Sequence, residues 1–348
     1  MSGRPPEVSR VTDRTAARRN GAKIDAVLPL TLGDLERSAI LRRSLDLFFQ
    51  DLGTCWIVTP DRQFAALGSS FQDRRYRVIP ESATIPELRF YNVVRTIVGR
   101  THRPTLGWSV QQLVKLAIAE RVETEFYLTL DADVICTKPV TCAQLVRGGR
   151  AICRQRTSGA VNEWPQWYEW AERVLGLPAS GVNRGATPAL LSTDAVLQLQ
   201  AYLARRVAPR TKQLAAPLRP GSHLHNVLVS WRSYLLRHLP WTEYALYDTF
   251  VEATGLFERY HSTDERTTIS GNSVWYRAAW PGWKPEESFT TRDDFFFSVL
   301  QSNARLNVEE IWDKVGLFLD AGGQGIRPLQ KGQAAWDAGR PAGRIVHP

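Results

Sequence analysis

Hydrophobic and polar positions in the first half of the chain alternate between short apolar runs and longer stretches with helical spacing. The apolar runs have the length and composition of buried parallel strands and occur at residues 24–30, 54–59, 76–79, 126–130 and 151–155. Helical spacing separates them, most clearly at 34–49 and 109–121. This alternation predicts an α/β fold with a Rossmann-type, mostly parallel central sheet and helices on both faces.

The second half of the chain is less regular and rich in aromatic residues. Helices are predicted at 163–175, 194–206 and 224–239, and a short strand at 189–192. Six of the twelve tryptophans fall into two groups, at Trp164, Trp167 and Trp170 and at Trp275, Trp280 and Trp283. Indole rings that stack on sugar rings would explain these groups, and so would an aromatic core.

The two ends of the chain differ from its centre. Residues 1–22 are rich in arginine and lack an apolar stretch, so we expect a disordered basic arm and not a secretion signal. Residues 321–348 are rich in glycine and proline and are predicted to be a flexible tail. Residues 23–320 remain as one predicted domain, which is long enough to bury a sizeable core.

Composition and charge limit the classes of protein to which the chain can belong. No run of about 18 consecutive apolar residues occurs, so a membrane span is not expected. The net charge of +9 would suit nucleic acid, an anionic membrane surface or a polyanionic substrate. No nucleic-acid-binding motif accompanies that charge, so nucleic acid is not expected as a partner. The four cysteines lack Cys-x-x-Cys spacing, which indicates free thiols and a cytoplasmic location, with peripheral contact to the inner face of a membrane left open.

The segment from residue 125 to residue 140 carries the most informative pattern. The apolar run 126–130 ends on Asp131 and Asp133, two carboxylates separated by one small residue. Open α/β sheets bind ligands beyond the carboxyl ends of their strands, and an i, i+2 pair on extended backbone points both side chains the same way. Mg²⁺ and Mn²⁺ are commonly held by one or two carboxylates together with phosphate oxygens of a substrate. The pair therefore predicts a metal site, although two aspartates also simply end strands and begin turns.

Two further segments supply polar side chains. Gln111 and Lys115 share one face of the helix that precedes the aspartates. On that face, a lysine would reach a phosphate or a sugar carboxylate and a glutamine would bind a hydroxyl group; an exposed polar face is the alternative. Asn183 and Arg184 lie between two glycines that would permit close approach to a ligand, and a simple turn is equally consistent.

Two later residues are candidates for chemistry. In the sequence Trp-Thr-Glu-Tyr at 241–244, Thr242 is predicted to cap a helix, which places Glu243 in its first turn. A carboxylate there is a candidate general base or a favourable first-turn charge. His261, one of six histidines, is a candidate third metal ligand or a structural histidine. The glycine-rich motifs of dinucleotide-binding and P-loop proteins are absent from the sequence.

Three motifs in order carry a resemblance to a known family. They are Gly-Trp-x-x-Gln-Gln-x-x-Lys-Leu at 107–116, Leu-Asp-Ala-Asp-Val at 130–134, and Trp-Thr-Glu-Tyr at 241–244. Over about residues 22–300 the chain resembles nucleotide-sugar-dependent glycosyltransferases with the GT-A fold, and most of all a bacterial branch known only as a domain of unknown function. The resemblance implies transfer of a sugar from a UDP- or GDP-linked donor to a hydroxyl of a glycan or lipid-linked acceptor. Residues 23–155 would then bind the nucleotide sugar and residues 156–320 the acceptor.

The resemblance also implies roles for residues at the donor end. Asp131 and Asp133 would hold Mn²⁺ or Mg²⁺ against the donor diphosphate, with Asp133 the more direct ligand. The metal would stabilise the charge that develops on the leaving nucleoside diphosphate. Pro29 and Asp61, at the ends of the first two strands, occupy positions where such folds usually meet the nucleobase and ribose. Gln111, Lys115, Asn183 and Arg184 complete the expected donor contacts.

At the acceptor end the resemblance implies roles for fewer residues. Glu243 lies about where inverting members place the base that deprotonates the acceptor hydroxyl, and His261 matches a late histidine ligand of some members. Trp241 and Trp275 are expected to contact the acceptor. Tyr244 follows Glu243, so the Glu-Asp pair expected at this position is missing, and inversion or retention of the sugar configuration stays open.

Two other classes of protein remain open from the sequence. A non-catalytic module that binds glycans or a membrane surface would use tryptophans and basic charge. A metal-dependent nucleotidyltransferase would also place carboxylates on an α/β sheet.

Overall fold

A computed structural model of the chain describes residues 23–92, 105–153, 165–182, 184, 187–237, 240–263, 267–289 and 295–321. The strands are β1 Ile24–Pro29, β2 Leu52–Thr59, β3 Tyr76–Pro80, β4 Phe126–Thr129, β5 Val134–Cys136, β6 Val146–Arg147, β7 Arg150–Cys153, β8 Ala189–Ser192, β9 His261–Thr263 and β10 Phe297–Val299. The helices are α1 Leu35–Phe48, α2 Phe64–Ser70, α3 Glu81–Thr84, α4 Thr105–Ala117, α5 Cys142–Leu145, α6 Pro165–Leu175, α7 Thr193–Ala215, α8 His223–Val229, α9 Trp231–Arg237, α10 Glu243–Ala253, α11 Phe257–Tyr260, α12 Glu286–Phe289 and α13 Val308–Ala321.

The central sheet has the strand order β3-β2-β1-β4-β8. Strands β1 to β4 are parallel, and β8 joins β4 in the antiparallel direction. All residues of β4 are buried, as expected for a strand between two neighbours and under helices. Because β1, β2, β3 and β4 run the same way, they end at one edge of the sheet, called the carboxyl edge below. The predicted α/β class with a mostly parallel central sheet is confirmed.

Asp25 ties the sheet together from within β1. Its carboxylate is buried, and it accepts hydrogen bonds from the amide of Thr54 in β2 (2.8 Å) and from the amide of Glu123 ahead of β4 (3.2 Å). Gly53 lies so close to this carboxylate that a Cβ there would overlap Oδ1. The contact fixes how β1, β2 and β4 are placed relative to one another, and with them the carboxyl edge.

Two small sheets complete the fold. Strand β5 begins directly after Asp133 and pairs with β10 in the antiparallel direction, with Cys136 opposite Phe297. Strands β6, β7 and β9 form the other sheet, in which Ala151 lies opposite His261. The segment that follows the two aspartates is therefore held by residues from the end of the described chain.

Two hydrophobic clusters form the core. The larger one surrounds the central sheet, and the smaller one joins α13 to the loops before β10. In the smaller cluster Trp280 and Trp283 are buried and stacked, with ring centroids 5.4 Å apart. These two tryptophans form an aromatic core, which was one of the two interpretations of the tryptophan groups.

The predicted basic arm and the predicted tail beyond residue 321 lie outside the described residues. Within the described ranges no helix has both the length and the apolar character that crossing a membrane requires. None of the four cysteines, all of which lie in the described residues, forms a disulfide, as predicted; Cys55 and Cys136 are buried, and Cys142 and Cys153 are half-buried.

Candidate functional site

Asp131 and Asp133 lie just past the carboxyl end of β4. The amide of Leu130 still donates to Val27 of β1 (2.9 Å), and the amide of Val134 donates to the carbonyl of Asp131 (3.2 Å), which closes a turn. The expectation of extended backbone between the two aspartates is therefore wrong, because the chain must reverse here to enter β5. The carboxylate of Asp131 is about one-third exposed, whereas Asp133 is buried.

Asp133 is held by the loop that follows β10. Its Oδ2 accepts a hydrogen bond from the amide of Ser302 (2.8 Å), and its carbonyl accepts one from the amide of Leu300 (2.8 Å). Arg37 of α1 donates to the carbonyl of Leu300 and so steadies that loop. Oδ1 of Asp133 is buried and has no hydrogen-bond partner within the described part of the chain. Burial, followed by the charge of Asp131, raises the pKa of Asp133 to about 6.

Lys115 lies between two carboxylates. Its Nζ is 2.8 Å from Oδ1 of Asp131 and 3.0 Å from Oε1 of Glu243, and its side chain is only 1% exposed. Burial lowers the pKa of Lys115, but Asp131 and Glu243 outweigh it and hold the pKa well above its usual value. The ammonium group is thus occupied by two protein carboxylates, and contact with a substrate phosphate stays a prediction. Gln111, one turn earlier in α4, is half-buried.

Glu243 is the first residue of α10. Thr242 caps this helix by accepting a hydrogen bond from the amide of Ala245 (3.0 Å), as predicted. The Glu243 side chain is fully buried, and burial raises its pKa despite the nearby Lys115. In this arrangement the Glu243 carboxylate is closed off from solvent and paired with Lys115, which disfavours direct contact with an acceptor hydroxyl; the role of general base stays a prediction.

His261 lies in β9 and is also buried. Its Nε2 is 2.7 Å from the hydroxyl of Tyr247, and its ring stacks on Phe257. Burial lowers the pKa of His261 to about 4, so the imidazole is neutral at physiological pH. Across the described ranges, no three His, Cys, Asp or Glu side chains come together as a metal site. The expected set of Asp131, Asp133 and His261 is therefore not assembled, and His261 is a core residue.

Arg184 lines a small cavity behind β8. It forms an ion pair with Glu252 of α10, and its guanidinium lies 4.2 Å from the centroid of the Phe257 ring. Asp248 lines the same cavity, and burial raises the pKa of its carboxyl group to about 7. The cavity holds about 20 Å³, room for roughly one water molecule and not for a sugar ring. Asn183, expected beside Arg184, lies outside the described residues.

The two tryptophans expected at the acceptor differ in their surroundings. Trp241 is 0% exposed, and its indole nitrogen donates to the carbonyl of Leu235 (2.9 Å). The acceptor role predicted for Trp241 is wrong, because a fully buried ring has no face left for a ligand. Trp275 is half-buried against the larger core cluster and keeps part of its surface in solvent.

Pro29 and Asp61 lie at the carboxyl edge, where they were expected. Pro29 ends β1 and is buried, whereas Asp61 follows β2 and is exposed. Asp61 accepts a hydrogen bond from the amide of Ser82 (3.0 Å), which places it beside Glu81 at the end of β3. Burial, followed by the charge of Asp61, raises the pKa of Glu81 to about 7. Glu81 was missed from the sequence, although its position directly after a strand was the available signal.

Comparisons with known proteins add a family and a set of similar folds. A family model described as "Family of unknown function (DUF6492)" matches residues 21–323. No curated protein matches the chain.

Three solved structures illustrate the similar folds, and all three are glycosyltransferases. Mouse xyloside xylosyltransferase 1 is 10% identical with a TM-score of 0.40, and the match covers 82% of this chain and 99% of that one. The galactosyltransferase LgtC, in complex with donor and acceptor sugar analogs, is 10% identical with a TM-score of 0.44, covering 84% and 96%. The glycosyltransferase GlyE of Streptococcus pneumoniae TIGR4 is 12% identical with a TM-score of 0.37, covering 86% of this chain and 62% of that one.

Proposed function

The chain belongs to the DUF6492 family, and we propose that it is a metal-dependent glycosyltransferase that moves a sugar from a nucleotide-diphosphate donor to a hydroxyl group of a glycan or lipid-linked acceptor. One observation carries the proposal. At the carboxyl edge, Asp131 and Asp133 each have one carboxylate oxygen engaged by the protein and one without a partner among the described residues. The order of the three sequence motifs supports the same assignment.

The residues present fit a divalent cation. A buried carboxylate oxygen without a hydrogen-bond partner lowers the stability of the folded protein by roughly 1–3 kcal/mol or more. A ligand bound to Oδ1 of Asp133 would offset that loss. Two carboxylates suit Mg²⁺ or Mn²⁺, which take their remaining ligands from substrate phosphates and water. Asp131 and Asp133 would hold the cation, and when bound it would supply charge stabilisation for the leaving nucleoside diphosphate.

The remaining residues of the carboxyl edge would bind the nucleoside. Pro29 is buried at the end of β1, whereas Asp61 is an exposed acceptor at the end of β2. Asp61 with Glu81 offers hydrogen-bond acceptors for ribose hydroxyl groups, so the nucleoside would lie along β1 to β3 with its diphosphate toward β4. Because Glu243 is buried against Lys115, the proposal gives it no contact with the acceptor.

Calorimetric titration with UDP and GDP, in Mn²⁺ and in EDTA, tests the proposal. We expect a nucleoside diphosphate to bind in Mn²⁺ and to lose at least tenfold in affinity in EDTA. Asp133→Asn should lose binding to a similar degree without unfolding, because it removes the charge of one predicted ligand and keeps the shape. Asp73→Asn, which alters an exposed aspartate paired with Arg75, is the matched control and should bind like wild type.

The same binding assay separates the other classes. Preferential binding of nucleoside triphosphates would favour a nucleotidyltransferase. Binding of glycans without any nucleotide would favour a non-catalytic module. Nucleoside diphosphate affinity that is indifferent to both EDTA and Asp133→Asn would refute the metal site.

A further inference from the structure

The buried ammonium group of Lys115 lies next to the pair of aspartates proposed to bind the metal ion. Lys115 of α4 contacts Asp131 at 2.8 Å and Glu243 at 3.0 Å, so α4, the turn after β4 and the start of α10 meet at one ammonium group. Lys115 and Glu243 are 1% and 0% exposed, whereas Asp131 keeps about one-third of its side-chain surface in solvent. Of the two carboxylates that contact Lys115, Asp131 is therefore the one that reaches the surface.

We propose that Lys115 and Glu243 form a positioning pair for the cation site. Glu243 holds the Lys115 ammonium against Oδ1 of Asp131, and the second oxygen of Asp131 is thereby kept for the divalent cation. The inference rests on the proposed function, because it assigns work to residues behind a metal site. It replaces a catalytic role for Glu243 by an indirect one.

Geometry gives the physical reason. Asp131 lies in a turn and is partly exposed, so its carboxylate would otherwise rotate freely and its rotamers would have to be ordered when the cation binds. One short contact to a buried ammonium group removes that freedom in advance. Asp133 is fixed in the same manner by the amide of Ser302. Both carboxylates are thus held by one oxygen each before any cation arrives.

Charge gives the second reason. Asp131, Asp133 and Glu243 carry three negative charges against the single positive charge of Lys115. Glu243→Gln removes one negative charge close to the cation, and Lys115 is then balanced by Asp131 alone. Charges within several ångströms in a partly buried site change ion affinity by more than tenfold. We therefore expect Glu243→Gln to weaken Mn²⁺ affinity at least tenfold.

A general base would give a different result. Removing a base lowers turnover roughly 10²–10⁴-fold and leaves binding of the cation unchanged. Removing a positioning residue weakens Mn²⁺ binding and raises KM for the donor, while kcat at saturating Mn²⁺ falls less than about tenfold. The division of the loss between KM and kcat thus separates the two roles.

Electron paramagnetic resonance of free Mn²⁺, titrated with the full chain, measures the affinity directly. Glu243→Gln should bind at least tenfold more weakly than wild type. The double variant Lys115→Met, Glu243→Gln has the same net charge as wild type but no longer holds Asp131, so it should stay weak. Recovery of wild-type affinity in the double variant would overturn the positioning role in favour of charge alone.

Glu310→Gln is the matched control, because Glu310 is also in the first turn of a helix and is paired with Arg277 away from this site. It should bind Mn²⁺ like wild type. If Glu243→Gln fails to fold in a thermal melt, Glu243→Asp decides: it keeps the charge but shortens the reach to Lys115, and unchanged Mn²⁺ affinity would overturn the inference. If the wild-type chain binds no Mn²⁺, the proposed function itself is refuted. If the wild type binds Mn²⁺ and a folded Glu243→Gln variant binds it equally well, only the positioning pair is refuted.

Discussion

Replacing Asp248 by asparagine should stabilise the protein more at pH 8 than at pH 5. Asp248 lies on α10, where its side chain is 7% exposed and accepts a long hydrogen bond from the hydroxyl of Tyr168 (3.5 Å). Burial raises its pKa from the usual 3.8 to about 7, although Arg184 and the bond from Tyr168 oppose the change. Asparagine has the shape of the protonated carboxyl group and keeps an oxygen for Tyr168.

The sign and size follow from proton linkage. A carboxyl group whose pKa is higher in the folded state favours folding below its unfolded pKa, and this stabilisation is lost as the pH rises through the folded pKa. The difference between 3.8 and about 7 corresponds to about 4 kcal/mol at high pH, at about 1.4 kcal/mol for each tenfold change in proton affinity. Between pH 5 and pH 8 the wild type should lose about 2.5 kcal/mol of this. The Asp248→Asn variant lacks the titrating group and should not lose this stability between pH 5 and pH 8.

Thermal melts of both proteins at pH 5, 6, 7 and 8 measure the effect. The difference in Tm between variant and wild type should grow by about 4 °C from pH 5 to pH 8, since an unfolding entropy of about 2.1 cal/mol/K per residue over about 300 residues makes 1 kcal/mol equal to about 1.6 °C. Only the difference between the two proteins counts, because other groups titrate equally in both. A difference that is flat with pH would mean that Asp248 stays charged in its cavity and that the assigned burial cost is wrong.

Three further outcomes are expected from other parts of the fold. Gly53→Ala should lower the free energy of unfolding in urea by about 2 kcal/mol, because the new Cβ overlaps the Asp25 carboxylate, which two amides hold in place. Gly68→Ala, with open space around it in α2, should be neutral or stabilising, and equal losses in both variants would refute the overlap. Thr242→Ala should cost about 1 kcal/mol by loss of the helix cap, and Thr242→Ser, which keeps a capping hydroxyl, should recover most of it in the same urea assay. His261→Gln should lower Tm but leave Mn²⁺ affinity within about twofold of wild type; a tenfold loss of Mn²⁺ affinity would restore His261 as a ligand.

The local sequence pattern was enough to predict most helices and strands, but it did not predict where one helix is broken into two. The strand predicted at 189–192 has those bounds in the structure, because a short apolar run next to a proline and a helix start has few alternatives. The helix predicted at 224–239 is instead two helices separated at Ser230, whose hydroxyl accepts a hydrogen bond from the amide of Arg232 and donates one to Glu87. Serine as a helix cap is a local signal, but the contact with Glu87 is a tertiary one that periodicity does not contain.

The candidate site shows the same division. The spacing of Asp131 and Asp133 after an apolar strand could be found by inspection, and so could the cap at Thr242. The burial of Lys115 between Asp131 and Glu243 depends on how α4 and α10 pack against each other. The spacing of residues in the sequence does not contain that information. The contact from Ser302 uses a backbone amide, which every residue except proline possesses, so no residue type indicates it.

The pairing of β5 with β10 bears on when the protein becomes functional during its own synthesis. Strands β1 to β4 can associate once the first 130 or so residues are made, yet the bond between Ser302 and Asp133 spans 169 residues of chain. Contacts of such long sequence separation form late, because the intervening loop must close first. A nascent chain therefore carries a nearly complete sheet whose two aspartates are not yet fixed. Competence to bind a cation should appear as one of the last events of folding, after the segment around residue 302 has left the ribosome.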